Sequence, residues 1–215
     1  MVVKVKICGL KTLEAVDVSC ESGASMCGFV FFPKSPRSIK FDIASELTKR
    51  VPPNIAKVGL VVDANDSWLE NVVLSGVDWL QFHGHESPKR IIEIKTRWKL
   101  PIIKAIPISN KTDLNLAKDY DEVADLLLFD AKPESNATRP GGNAMVFDWQ
   151  LLKGSFWKCP WILAGGLNNN NLEDAVHATG ALFVDVSSGV EDTHGNKNNN
   201  KISTFLTLAK NIGES

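Results

Sequence analysis

A thiol and a carboxyl group end two apolar segments that lie far apart in the sequence. The segment KVKIC ends on Cys8, which Gly9 follows at once, and the segment LLLFD ends on Asp130. A thiolate can remove a proton from carbon, and a carboxyl group that burial keeps protonated can donate one. The pair therefore suits proton transfer beside a carbonyl or an imine. Taken alone, Cys8 is equally well explained as a small buried apolar side chain, so its position in the fold has to decide.

Two short segments rich in glycine and serine are typical of a phosphate site. LAGG ends on Gly165 and Gly166, and DVSSG runs from Asp185 through Ser187 and Ser188 to Gly189. Glycine lets backbone N–H groups approach an anion closely, and serine adds hydroxyl donors. Either segment alone is a common kind of turn. On consecutive strands of a barrel, the two together favour a phosphate ligand.

Arg37 and His83 each have a functional and an ordinary interpretation. Arg37 follows PKSP in a loop, where most arginines are solvated, but a guanidinium group can also bind a ligand carboxylate through two hydrogen bonds. His83 lies in QFHGHE and can act as a general acid or base, or simply satisfy a hydrogen bond at a strand end. For His83 alone the ordinary interpretation is favoured.

The elements that position these residues are eight apolar, β-branched runs separated mostly by helix-like stretches. One of these stretches has Ser87 as a helix N-cap and Pro88 in the first turn. The runs begin at Val2, Ser25, Ile55, Val77, Pro101, Ala124, Pro160 and Ala181. This alternation predicts an α/β fold: a single (β/α)8 TIM barrel with a parallel eight-stranded core over residues 1–215. A doubly wound open sheet is the alternative.

The polar residues fall at the ends of these runs, which is where barrels build their sites. Cys8, His83, Asp130 and the two glycine-rich turns all follow a predicted strand. Because the carboxyl ends of parallel barrel strands meet on one face, we expect these side chains around one pocket. Cys8 is then on the face where chemistry occurs.

Composition excludes several other classes of protein. The chain has 215 residues, 44% of them hydrophobic, and a formal net charge of −1, so nothing in its composition suggests a nucleic-acid binder, which would show a basic face. It shows no apolar run long enough for a membrane span and no signal peptide, so we expect a soluble cytoplasmic protein. Its four cysteines show no metal-type spacing. The asparagine-rich segment 196–201 is expected to be a solvated turn.

Seven segments, in order along nearly the whole chain, resemble phosphoribosylanthranilate isomerases. They are KICGL at 6–10, FVFFPKSPRSI at 29–39, QFHGHE at 81–86, LLLFDAKP at 126–133, PGGNAMVFDW at 140–149, WILAGGLNNNNLEDAV at 161–176 and VDVSSGVEDTHGNK at 184–197. The resemblance implies an isomerase of tryptophan biosynthesis that performs an Amadori rearrangement. In that reaction N-(5-phosphoribosyl)anthranilate becomes 1-(2-carboxyphenylamino)-1-deoxyribulose 5-phosphate.

The resemblance also implies roles for individual residues. Cys8 would be the general base, Asp130 the general acid, and Arg37 the partner of the anthranilate carboxylate. His83 and Asp185 would line the pocket. The phosphate would be held by Gly165, Gly166, Ser187, Ser188 and Gly189. No metal or redox cofactor is expected, because the imine nitrogen of the intermediate accepts the electrons. The partner would be a small phosphosugar, with neither nucleic acid nor membrane, and the chain would be a monomer or a homodimer.

Two expectations concern loops. Gly9 is expected to leave space beside the thiol for the sugar, so that Gly9→Val lowers turnover more than stability. The loop over 131–147 is expected to be a lid with Gly141 and Gly142 as hinges. Its mobility is open, because Ala144 and Met145 replace residues that are more often glycine and polar in the family.

Two rival functions remain to be compared with the structure. One is another phosphosugar enzyme: an epimerase needs a set of metal-ligating residues, and an indole-forming synthase needs a lysine at a strand end, for which Lys104 is the candidate. The other is a binding protein without activity, which would need neither Cys8 nor Asp130.

Overall fold

Eight parallel strands close into a barrel in the order in which they follow along the chain. A computed structural model of the protein describes residues 2–132, 141–142 and 146–212. The strands are β1 Lys4–Cys8, β2 Met26–Val30, β3 Ala56–Val61, β4 Trp79–Phe82, β5 Ile102–Ile108, β6 Leu126–Ala131, β7 Trp161–Leu163 and β8 Phe183–Val186. Each one falls in a predicted run, and the predicted fold class is confirmed.

Helices follow most of the strands and pack around the outside of the barrel. They are α1 Leu13–Glu21, α2 Phe41–Arg50, α3 Asp66–Leu74, α4 Pro88–Trp98, α5 Leu114–Tyr120, α6 Leu172–Thr179 and α7 Asn199–Ile212. The predicted cap is confirmed at α4, where the Ser87 side chain accepts a hydrogen bond from the backbone N–H of Arg90. Between β6 and β7 the described residues form only a short 3-10 helix, Trp149–Leu152.

Successive side chains along each strand pack alternately into two separate apolar layers. One cluster consists almost entirely of strand residues and fills the barrel interior; it includes Met26, Val58, Ile103, Leu128, Ile162 and Phe183. The other contains the buried faces of the helices as well, so it lies between the barrel and the helices. Side chains two apart on a strand point the same way, so this pattern decides which polar residues face the barrel axis.

The barrel closes where the first strand pairs with the last. Strand β1 pairs with β8 in parallel, and Lys6 lies opposite Asp185 in the register. The carboxyl ends of the strands therefore form a continuous ring, from Cys8 on β1 round to the turn after β8.

A small hairpin follows β8 and corrects one expectation. It consists of β9, Glu191–Thr193, and β10, Asn196–Lys197, paired antiparallel. The segment 196–201 is thus not simply a solvated turn, because the Lys197 side chain is only 3% exposed. Charged partners, described below, account for this burial.

Among the described residues, no helix combines the length and apolar character that crossing a membrane requires.

Candidate active site

A pocket that is open to solvent lies at the carboxyl ends of the barrel strands. Every predicted site residue except Gly189 lines it: Cys8, Arg37, His83, Asp130, Gly165, Gly166, Asp185, Ser187 and Ser188. The expectation that strand ends bring these residues together is therefore correct in its geometry. Apolar side chains such as Val30, Leu60 and Leu167 complete the wall.

Cys8 lies at the end of β1 with its side chain toward the barrel axis and is 4% exposed. Gly28 on β2 makes room for it, because a Cβ at Gly28 would lie 3.1 Å from Cys8 Sγ and 3.2 Å from Lys6 Cε. Burial raises the pKa of the Cys8 thiol, and the positive charge of Lys6 opposes that rise. The thiol therefore needs nearby cations to form a thiolate.

Lys6 lies two residues before Cys8 and shares its face of β1. Its ammonium group is fully buried and forms an ion pair with Asp185, with 2.7 Å between Nζ and Oδ1. Burial alone lowers the pKa of a lysine, but the Asp185 carboxylate outweighs it, so the pKa of Lys6 is raised. Lys6 is therefore a permanent cation in the layer beneath the pocket.

Asp130 is the penultimate residue of β6 and is oriented by two contacts. Its Oδ1 accepts a hydrogen bond from the backbone N–H of Ala131 at 2.8 Å. Its Oδ2 lies 3.3 Å from His83 Nε2. The other ring nitrogen of His83 lies 3.2 Å from Gln81 Nε2, so His83 is held from both sides. His83 thus contacts the candidate acid directly and does more than fill a strand end.

Gly141 lies directly against Asp130 and His83. A Cβ at Gly141 would lie 2.7 Å from both Asp130 Oδ2 and His83 Nε2. Any larger residue would displace one of the two side chains, so the position requires glycine. Gly141 and Gly142 both line the pocket. Ala144 and Met145, on which the lid expectation depends, lie outside the described residues, and lid mobility stays a prediction.

Arg37 is not a solvated surface charge; its side chain is 4% exposed and forms a two-point ion pair with Glu191. Arg37 Nε donates to Glu191 Oε1 at 2.7 Å, and Nη2 donates to Oε2 at 2.9 Å. The remaining edge, Nη1, faces Gly142 at the rim of the pocket. That edge is the one that can meet a ligand carboxylate.

Glu191 also receives a second cation. Lys197 Nζ lies 2.7 Å from Glu191 Oε1 and 2.9 Å from the carbonyl oxygen of Ser187. Burial by itself raises the pKa of Glu191, but the hydrogen bonds from Arg37 and the charge of Lys197 outweigh it and lower that pKa to about 2. Glu191 is therefore ionised at every pH at which the protein is expected to work.

The explanation expected for Gly9 is wrong. Gly9 has a φ of +82°, and a Cβ there would lie 2.7 Å from Cδ of Arg37. The aliphatic part of the Arg37 side chain occupies the space that the missing side chain leaves. Gly9 thus makes room for the arginine and leaves none for a sugar.

The two glycine-rich turns lie side by side at the pocket. Gly165 and Gly166 both have positive φ, and the Gly166 carbonyl oxygen accepts hydrogen bonds from the side-chain amides of Asn168 and Asn171, at 3.2 and 3.0 Å. After β8, the Ser187 hydroxyl donates to the carbonyl oxygen of Cys8 at 3.0 Å. Both turns are thus fixed before a ligand binds.

Gly189 lies behind the pocket, where its backbone bridges to Asn168. A Cβ at Gly189 would collide with the Leu167 carbonyl group. The residue lets the turn after β8 pack against the turn after β7. Its contribution to a phosphate site is therefore the joining of the two turns.

Sequence reasoning missed four polar residues of this site: Lys6, Gln81, Glu191 and Lys197. For two of them a pattern existed, because Lys6 lies two residues before Cys8 and Gln81 two residues before His83 on their strands. The rule that such side chains share a face would have found both. No comparable pattern marks Glu191 or Lys197, because Arg37, the partner of Glu191, is 154 residues away in the sequence, and the burial of Lys197 depends on Glu191.

The part of the chain that the structure describes does not provide the groups that the two rival enzymes require. Lys104 does not face the pocket; it points toward the helices, with Nζ 2.8 Å from Glu86 Oε2 and 5.4 Å from the ring centre of Tyr120. Within residues 2–132, 141–142 and 146–212, no three His, Cys, Asp or Glu side chains are grouped so that they could hold a metal ion.

Comparison with known proteins identifies related sequences and structures. The sequence model of a family described as N-(5'-phosphoribosyl)anthranilate (PRA) isomerase matches residues 5–207. A relative from Paramagnetospirillum magneticum is 48% identical over 211 residues, which are 98% of each chain. One from Rhodospirillum rubrum is 49% identical over 212 residues, covering 96% of this chain and 97% of the other. Both relatives are named N-(5'-phosphoribosyl)anthranilate isomerase.

Solved structures extend this similarity to the fold. Phosphoribosyl anthranilate isomerase from Thermotoga maritima is 35% identical, with a TM-score of 0.86 over 97% of this chain and 99% of that one. A second isomerase structure contains reduced 1-(o-carboxyphenylamino)-1-deoxyribulose 5-phosphate. It is 32% identical, with a TM-score of 0.82 and the same coverage.

Proposed function

The chain belongs to the N-(5'-phosphoribosyl)anthranilate isomerase family, and from this premise we propose that Cys8 and Asp130 are the base and the acid of its reaction. The protein catalyses the Amadori rearrangement of N-(5-phosphoribosyl)anthranilate to 1-(2-carboxyphenylamino)-1-deoxyribulose 5-phosphate in tryptophan biosynthesis, by general acid–base catalysis. The observation that carries the proposal is that both side chains line one pocket, together with Arg37 and the glycine-rich turns.

Asp130 acts first. It donates its proton to the ring oxygen of the ribose, the C1–O bond breaks, and an imine forms between C1 and the anthranilate nitrogen. The contacts from Ala131 and His83 support this role, because they fix the carboxyl group in one orientation and leave it at the pocket wall. A positioned acid of this kind contributes about 10²–10⁴-fold to the rate.

Cys8 acts second. The imine makes the proton on C2 acidic, and the Cys8 thiolate removes it to give an enolamine, which tautomerises to the ketone. Because burial raises the pKa of Cys8, the thiolate is a minor species at neutral pH but a strong base once formed. The buried charges of Lys6 and Lys197 favour its formation.

The remaining pocket residues bind the two ends of the substrate. The Nη1 edge of Arg37 faces the anthranilate carboxylate, which suits a guanidinium group geometrically. Gly165, Gly166, Ser187 and Ser188 hold the phosphate through backbone N–H groups and the Ser188 hydroxyl, and Gly189 keeps their two turns together. His83 orients Asp130, and Asp185 holds Lys6 beneath the thiol.

The proposal includes the setting in which the protein works. It acts in the cytoplasm on a small phosphosugar, as one domain over residues 1–215 and without a nucleic-acid partner. The net charge of −1 supports the last point. It is a monomer or a homodimer; a related isomerase from Thermotoga maritima is described as dimeric.

The test is an assay of freshly generated phosphoribosylanthranilate, followed through the loss of its aryl-amine fluorescence. Wild-type protein is expected to remove the signal, and Cys8→Ser and Asp130→Asn are each expected to slow the loss by about 10²–10⁴-fold. Cys159→Ser is the matched control, because Cys159 is a partly buried thiol outside the pocket.

Each result has one meaning. Normal turnover by Cys8→Ser would keep the reaction and remove Cys8 from the role of base, and the same holds for Asp130→Asn and the acid. No turnover by the wild-type protein would contradict the activity and favour a binding protein.

A further inference from the structure

Three buried charged groups meet where the hairpin β9–β10 covers the rim of the pocket. Arg37, Glu191 and Lys197 have side chains that are only 3% or 4% exposed, and their formal charges sum to +1. Lys6 and Asp185, by contrast, neutralise each other below the pocket. The mechanism above uses Arg37 but gives no role to Glu191 and only a minor one to Lys197.

We infer that Glu191 and Lys197 are positioning residues that hold the carboxylate-binding arginine and the phosphate-binding turn at a fixed separation, so that the pocket selects ligands with both anions. The inference rests on the proposed function and deepens it. It assigns the specificity for a carboxylate to a hairpin that contains no catalytic residue.

Glu191 fixes the direction of Arg37. A free arginine side chain has many rotamers and loses conformational entropy when it is held. The two parallel hydrogen bonds from Nε and Nη2 to the Glu191 carboxylate leave the guanidinium group a single orientation. In that orientation Nη1 points at the pocket rim beside Gly142. The cost of ordering Arg37 is thus met during folding and not when the ligand binds.

Lys197 connects this pair to the phosphate-binding turn. Its ammonium group contacts Glu191 Oε1 on one side and the Ser187 carbonyl oxygen on the other, at 2.7 and 2.9 Å. Ser187 in turn donates to the carbonyl oxygen of Cys8. One chain of contacts therefore runs from the guanidinium group through the phosphate-binding turn to the strand that carries the base.

The charges explain why the cluster needs Glu191. Glu191 lies between two cations that would otherwise repel each other in a buried region. A buried charge is costly unless it is paired, so Glu191 stabilises Arg37 and Lys197 at their present separation. Without this carboxylate the two cations would move apart, and Arg37 would leave the orientation in which it meets a ligand carboxylate.

The backbone around the cluster is fitted to it. The N–H of Gly195 donates to Glu191 Oε2 at 3.0 Å. A Cβ at Gly195 would lie 2.5 Å from the Pro36 carbonyl oxygen, so the hairpin lies directly against the loop that carries Arg37. Lys11 Nζ donates to the same Pro36 oxygen at 3.1 Å. Movement of the hairpin would therefore move Arg37.

The experiment measures binding of two ligands by calorimetry. One is reduced 1-(o-carboxyphenylamino)-1-deoxyribulose 5-phosphate, and the other is its phenylamino counterpart without the carboxylate. We expect Glu191→Gln to weaken binding of the first ligand at least tenfold and of the second less than about threefold, so that the preference for a carboxylate collapses. Asp192→Asn is the matched control, because it removes the same charge from an exposed neighbour that pairs with Lys201.

A second variant separates the two positioning residues and remains informative if Glu191→Gln does not fold. Lys197→Met leaves the Arg37–Glu191 pair in place and removes the contact with Ser187. It is expected to weaken the binding of both ligands by a similar factor, because both carry the phosphate. The ratio of the two affinities should therefore stay near that of the wild type.

Three results would overturn the inference. Glu191→Gln that leaves the ratio of the two affinities unchanged would make the hairpin a merely structural element. Lys197→Met that leaves both affinities unchanged would remove the connection to the phosphate-binding turn. Wild-type protein that binds neither ligand would contradict the proposed function itself, which the turnover assay checks separately.

Discussion

At the scale of single residues, the reactivity of Cys8 depends on a balance between burial and charge. Burial raises the pKa of the thiol, Lys6 and Lys197 lower it, and Asp185 raises it again. Lys6 lies on the same face of β1 and cannot reach solvent. A lysine two residues earlier in the chain therefore favours the thiolate form of Cys8.

The first prediction is that Lys6→Met suppresses the reactivity of Cys8. Without the buried cation the thiol pKa rises further, and one unit of pKa lowers the thiolate fraction tenfold. Alkylation of Cys8 by iodoacetamide at pH 8, followed by peptide mapping, should slow roughly tenfold. In the wild-type protein, the alkylation rate of Cys8 should continue to rise with pH above the pH at which the alkylation rate of an exposed thiol becomes constant.

Lys4→Met is the matched control, because Lys4 is the next residue down on the same face of β1. It should leave the alkylation of Cys8 unchanged. Equal rates in the wild-type and Lys6→Met proteins would contradict the role of Lys6. Circular dichroism should accompany the assay, since Lys6→Met leaves Asp185 without its partner.

At the scale of elements, the site depends on loops that approach one another too closely for ordinary side chains. Gly9, which follows β1, has no side chain and so leaves space for Arg37. Gly141 leaves space in the same way for Asp130 and His83. In each case a glycine on one loop creates the space that a functional side chain from another element fills. Replacing such a glycine should therefore disturb function through a second residue.

The second prediction concerns Gly9→Ala. The positive φ of Gly9 makes any side chain strained, with a cost of order 1–3 kcal/mol in the free energy of unfolding. The added Cβ also displaces Arg37, so the variant should lose affinity for the carboxylate ligand as well. Urea unfolding and calorimetric binding measure the two effects.

Gly180→Ala separates strain from displacement. Gly180 has a similar φ of +71°, but a Cβ there would meet nothing within 4 Å. This variant should lose comparable stability and keep its affinity. Unchanged binding by Gly9→Ala would show that Arg37 tolerates the intrusion.

The elements were predictable from the sequence, and the loops between them were only partly so. All eight strands follow from β-branched runs, because each strand is buried on both faces and reads as a continuous apolar segment. Cys8 and Asp130 were predictable because they end such runs. Glu191 and Lys197 were not, since Glu191 is buried against Arg37, which only the closed barrel brings to it, and Lys197 is buried against Glu191.

At the scale of the whole molecule, stability in acid depends partly on the same hairpin. The pKa of Glu191 is lowered from 4.5 to about 2 in the folded protein. Its contribution is complete above pH 4.5, where the unfolded chain also has an ionised glutamate, and is lost as the pH falls toward 2. A shift of this size corresponds to roughly 3 kcal/mol.

The third prediction compares wild-type protein with Glu191→Gln by urea unfolding at pH 6 and pH 3. The wild type should be more stable at pH 6, and the difference between the two proteins should shrink at pH 3. Other carboxylates, such as Asp66 and Asp121, also have lowered pKa values, so both proteins lose stability in acid. Only the difference reports on Glu191, and a difference independent of pH would contradict the prediction.

The pairing of β1 with β8 has a consequence for synthesis on the ribosome. Lys6 and Asp185 are 179 positions apart, and the residues that hold Arg37 come later still. The segment that carries the thiol leaves the exit tunnel long before the segment that supplies its counter-ion and its neighbouring strand, because Lys6 and Asp185 are so far apart in the chain. A growing polypeptide that has not reached residue 197 has its cysteine but no enclosed pocket around it. We therefore expect a polypeptide that stalls before this point to be inactive toward the substrate.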